Sequence, residues 1–110
     1  MATTELGTSV AREAVFADLP IPHEATTSRV VVNNELLRVV MFAMDAEQEL
    51  TDHAAARAVV VQVIEGELTF TVGATAHDLV AGDVVYLAPN ERHAVLARTP
   101  TRFALVLVKV

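Results

Sequence analysis

Residues 47–93 read EQELTDHAAARAVVVQVIEGELTFTVGATAHDLVAGDVVYLAPNERH. Within this stretch Ala58–Ile64 is β-branched and apolar at both parities, as in a strand covered on both faces. Glu65-Gly66 is a turn signal, and Glu67–Val72 returns with polar and apolar residues alternating. Gly73–Ala76 is the next turn, His77–Val80 a short strand, and Ala81-Gly82-Asp83 a further turn. Val84–Leu87 reads as a strand, Ala88–Arg92 as a loop carrying Pro89 and Asn90, and His93–Ala97 as a strand. Two histidines, His53 and His93, each open an apolar run.

Outward from this stretch the pattern continues. Arg98–Pro100 turns the chain into Arg102–Val110, again apolar at both parities. Upstream, Val30–Val32 is closed by Asn33-Asn34, and Leu36–Met44 follows as a longer apolar strand, so the two form a hairpin. Asp45–Asp52 is acidic and polar and reads as a loop, with a short helix as the competing reading. Ala11–Asp18 has room for one helical turn before Pro20 and Pro22 stop it. Short strands with turns at this spacing predict an all-β barrel or sandwich. The expected division is an extended or loosely ordered arm over 1–27 and a barrel over 28–110.

The 110 residues suffice for one domain. A 53% hydrophobic content and a mean hydropathy of +0.42 exceed what one small core absorbs. A second apolar surface is expected, a homodimer interface carried by Val59–Ile64 and Phe103–Val108. Gln62 then sits as the one polar group on that face or as a hydrogen-bonder in the interior. The net charge of −6 and the absence of any Lys/Arg run argue against nucleic acid or an anionic membrane as partner. The absence of cysteine excludes thiolate chemistry and disulfides. Met1–Arg12 lacks the pattern of a secretory signal, and no apolar run approaches a membrane span, so a cytoplasmic location is expected.

The spacing His53 to Gly66, followed by Gly82 to His93, resembles the cupin family. Its motifs run G-x5-H-x-H-x3-E-x6-G and G-x5-P-x-G-x2-H-x3-N. The resemblance implies an all-β double-stranded β-helix, or jelly-roll barrel, with His53 and His93 pointing into its mouth. The sequence departs from the motifs at the ligands: the second His falls on Ala55 and the Glu on Val59. It departs also at Glu47 and Asn90, where the motifs have Gly, and at Ala88 and Ala97, where they have Pro and Asn. Catalytic metal sites usually supply three protein ligands, and two imidazoles alone hold a divalent ion weakly. His77 is the candidate third ligand, against a surface position beside Asp78. Asp52 and Glu91 are weaker candidates in polar loop sequence.

The leading expectation is an apolar pocket for a small-molecule ligand, lined by His53, His93, Ala55, Val59 and Tyr86, with a degenerate metal site and no cofactor. The alternative is a metal-dependent dioxygenase or isomerase that holds a divalent transition metal through His53, His93 and a non-standard third ligand. A third reading makes the barrel an assembly module with a filled interior. No nucleophile triad, phosphate loop or dinucleotide fingerprint appears.

Overall fold

The structure, a computed structural model, describes residues 3–109, with Asp52 and His53 described through their backbone alone. Among the described residues nine strands follow in order: β1 (Thr26–Asn33), β2 (Leu37–Met44), β3 (Glu49–His53), β4 (Val59–Glu65), β5 (Glu67–Val72), β6 (Thr75–Val80), β7 (Val84–Leu87), β8 (His93–Ala97) and β9 (Thr101–Val108). They form a five-stranded sheet in the order β1-β2-β9-β4-β7 and a four-stranded sheet in the order β3-β8-β5-β6. The pairings between neighbouring strands are antiparallel. This is the expected all-β jelly-roll barrel. The described residues contain one helical piece, a 3-10 turn at Val15–Asp18, where Pro20 and Pro22 close it off.

The valine run behaves as its parity demands. Val59, Val61 and Val63 of β4 are buried, whereas Val60 is half-buried and Gln62 exposed on the other face. The inward set meets Phe103 on β9, Leu68 and Phe70 on β5, and Val95 and Ala97 on β8 in one core cluster. Each such side chain contributes roughly 1.5–3 kcal/mol through burial. Phe42 and Phe103 stack across the β2–β9 pair with ring centroids 4.8 Å apart.

The Asp45–Asp52 loop expectation is corrected. Residues 45–48 turn, but Glu49–His53 is a strand paired with β8. Leu50 is the one apolar residue of that strand, so the local pattern was weak. Pairing with β8 supplies what the pattern lacks.

The segment before β1 packs on the barrel. Leu19 is 2% exposed. The Asp45 carboxylate accepts from the Glu24 and Ala46 amides, which holds its carboxyl below the usual range. Arg102 anchors the same segment. Its Nε donates to the Leu19 carbonyl at 3.2 Å, its guanidinium pairs with Glu65, and the Phe16 ring lies 4.7 Å away. Arg102→Met keeps the aliphatic stem and removes all three contacts. The expected cost is about 1–2 kcal/mol, with faster proteolytic cleavage between residues 11 and 19 and an unaltered barrel. Unchanged cleavage would show that the segment is held by its apolar contacts instead.

Candidate functional site

Two loops and two strands meet at one end of the barrel. Cα register places His53 directly opposite His93 across β3 and β8. A bulge between Leu50 and His53 makes this possible. Leu50 pairs with Val95, and three residues on β3 then span two on β8, so that the two backbone positions come level. The His53 side chain lies outside the described residues.

His93 is 5% exposed. Its ring stacks on Phe70, with centroids 5.8 Å apart and planes 8° apart. Its Nδ1 lies 3.1 Å from the Glu91 carbonyl oxygen. A carbonyl only accepts, so Nδ1 carries the proton, and in the neutral ring Nε2 holds the lone pair. Phe70 escaped the sequence reading as a site residue. The alternation of Leu68, Phe70 and Val72 signals its inward parity, but its contact with His93 comes from β5–β8 pairing.

The two motif loops are joined directly: the Asn90 amide donates to the Ala55 carbonyl at 2.7 Å. Glu47 and Asn90 stand where the cupin motifs have glycine, and both adopt left-handed backbone, with φ of 69° and 68°. The turns that the motif glycines provide therefore persist without them. The ligand positions do not. Val59 is 2% exposed within the core cluster, and Ala55 packs against that cluster. Neither has a donor atom. Among the described residues no three His, Asp or Glu side chains converge where an ion could sit. Two of the four ligand positions of the cupin motif, Ala55 and Val59, therefore cannot bind an ion.

The other expected site residues lie elsewhere. Tyr86 is 64% exposed and shares its parity with Val60 on the outer face of the five-stranded sheet, away from the interior. Parity alone left its direction open; the β4–β7 register decides it. His77 is exposed on the edge strand β6, opposite Phe70. Behind His93 the barrel is packed with Phe70, Val95, Leu87 and Val59. A cleft of about 280 Å³ opens at the rim, lined by Thr71, Gly73, Arg92, His93 and Ala94.

A nine-stranded jelly roll with paired histidine positions at one mouth defines a class of small β-barrel domains. The chain belongs to the cupin domain family, whose sequence profile matches residues 39–109. Solved structures agree with the fold. A conserved protein of unknown function from Streptococcus pyogenes superposes with a TM-score of 0.82 at 21% identity, over 100% of this chain and 96% of that one. An RmlC-like cupin from Desulfovibrio desulfuricans gives 0.82 at 20% identity, over 92% and 98% of the two chains. A cupin superfamily protein from Desulfitobacterium hafniense gives 0.80 at 16% identity, over 91% and 93%. No curated protein matches this chain. No helix among the described residues is long and apolar enough to cross a membrane.

Proposed function

We propose that this cupin domain is a small-molecule binding module that works without metal-dependent catalysis, and that its ligand sits at the rim beside His93. The observation that carries the reading is the burial of Val59, with Ala55 packed beside the core, at the positions where the family motif places two of its ligands. The rim cleft of about 280 Å³ is near the lower end of small-molecule sites and suits a compact ligand. A small carboxylic acid is the ligand class that an imidazole at this position suits, because the two groups share a proton in a charge-assisted hydrogen bond. Stacking on Phe70 holds that ring in one orientation, so the ligand need not order it on binding.

The test is metal content, measured by elemental analysis on protein purified without a tag or chelator, followed by calorimetric titration with Zn²⁺, Ni²⁺, Mn²⁺ and Fe²⁺. The expected result is well under one ion per chain and weak binding. One tightly bound ion per chain, lost in both His53→Ala and His93→Ala, would overturn the proposal and establish the metal-dependent enzyme reading. That reading draws its support from the register that sets His53 opposite His93. A thermal-shift screen of small carboxylic acids and aromatics then identifies the ligand class. A hit is expected to lose its shift in His93→Ala.

A further inference from the structure

The rim cleft does not end at His93. It shares Thr71 and Ala94 with a second groove, of about 390 Å³, on the outer face of the four-stranded sheet, where Glu49, Thr69 and Leu96 line it further along. Strand pairing builds this groove. Ala94 and Leu96 alternate along β8 with the buried His93 and Val95, and so take the opposite face. β5 sets Thr71 beside Ala94 and Thr69 beside Leu96, and β3 sets Glu49 on the other side of Leu96. Ala94 carries a single methyl between larger neighbours, so the surface dips where the two cavities join. Ala94, Leu96, Thr69 and Thr71 are half-buried. The polar groups along the far side are engaged with one another. The Thr69 hydroxyl donates to the Asp78 carboxylate at 3.0 Å, and Arg98 pairs with the same carboxylate at 3.4 Å. What remains along the groove is chiefly the aliphatic surface of Ala94 and Leu96.

We propose that the rim ligand is a linear monocarboxylic acid whose alkyl tail leaves the rim over Ala94 and lies in this outer groove beside Leu96. The inference rests on the rim reading above and adds the tail to it. From His93 to Leu96 the strand rises about 10 Å, a span that the chain of octanoic acid covers. Apolar contact drives this part of the binding, because each methylene withdrawn from water adds affinity without requiring a hydrogen-bond partner. The far end of the groove excludes a second charge. Glu49 is exposed beside Leu96, and its carboxylate repels an anionic terminus that arrives there. The groove therefore selects an acid with an apolar end over a dicarboxylic acid of the same length.

Calorimetric titration with propionic, octanoic and octanedioic acids tests it. Octanoic acid is expected to bind the wild-type chain about 30-fold more tightly than propionic acid, the gain from withdrawing its additional methylenes halfway from water. Octanedioic acid is expected to lose most of that gain. Ala94→Ile fills the dip between the two cavities with a side chain suited to a strand, and should bring the ratio of the octanoic to the propionic affinity close to one. Leu96→Thr removes the apolar wall without filling the groove and should lower the same ratio, which keeps the test decisive if Ala94→Ile does not fold. Equal affinities of the wild-type chain for propionic and octanoic acid overturn the tail proposal and leave the rim reading standing. So does a ratio that survives undiminished in either folded variant, or octanedioic acid binding as tightly as octanoic acid. Failure of the wild-type chain to bind any of the three acids overturns the carboxylic-acid reading of the rim together with the tail.

Discussion

Gly66→Ala is expected to lower the unfolding free energy by about 3–5 kcal/mol and the Tm by more than about 12 °C. Gly66 joins β4 to β5 with a φ of +87°, a conformation that costs an L residue roughly 1–2 kcal/mol. The larger part of the penalty is steric. A Cβ at this position would run into the Pro100 carbonyl oxygen and come within 2.8 Å of the Thr101 Cα. Both are backbone atoms of the turn into β9, and neither can swing aside as a side-chain tip does. Thr101, fully buried, is fixed there by its hydroxyl donating to the Thr99 carbonyl at 2.8 Å. Gly82→Ala is the comparison. Its φ is +95°, but a Cβ there meets nothing within 4 Å, so only the conformational cost of about 1–2 kcal/mol applies. Thermal unfolding of the two variants should separate by more than about 5 °C. Equal losses would mean that the turn before β9 yields more readily than its contacts imply.

Val59→Glu is expected to cost about 3–5 kcal/mol at pH 7. The side chain is 2% exposed among Val61, Phe70, Leu87 and other apolar groups, where a carboxylate loses its hydration. Burial disfavours the charged form, so the folded-state pKa of the new carboxyl rises above the unfolded value of about 4.3. Below that unfolded value both states are protonated and only the cost of burying a neutral carboxyl remains. As pH rises from there, the variant loses about 1.4 kcal/mol per unit until the folded pKa is passed. Urea unfolding from pH 4 to pH 8 reads this slope, and a pH-independent difference from wild type would show the carboxylate escaping to water. Adding Ala55→His completes the donor set of the cupin motif. Zn²⁺ is then expected to raise the Tm of the double variant and leave wild type unmoved. No response of the folded double variant would show that positions 55 and 59 do not face the His53–His93 pair.

These two sites also show where the sequence was readable. The turns at Glu65-Gly66 and Ala81-Gly82-Asp83 lie where the sequence pattern puts them, because such turns depend on local backbone preference. β7 and β8 begin and end as expected for the same reason. β3 was illegible, since a strand with one apolar residue exists only through its neighbour. At Glu47 and Asn90 the sequence shows a departure from the cupin motif, yet the backbone keeps the glycine conformation. Surrounding contacts can hold a non-glycine residue in left-handed geometry.

By itself the sequence determined an all-β chain of short strands, the cupin resemblance that implied a jelly roll, and the loss of donor atoms at Ala55 and Val59. Each of these is a property of residue type and spacing along the chain. The tertiary structure decided which side chains share a face. A bulge between Leu50 and His53 brings His53 opposite His93, the register turns Tyr86 outward, and the pairing of β5 with β8 sets Thr71 beside Ala94. Strand parity alternates every residue and slips at every bulge, so direction is fixed only when the strands pair.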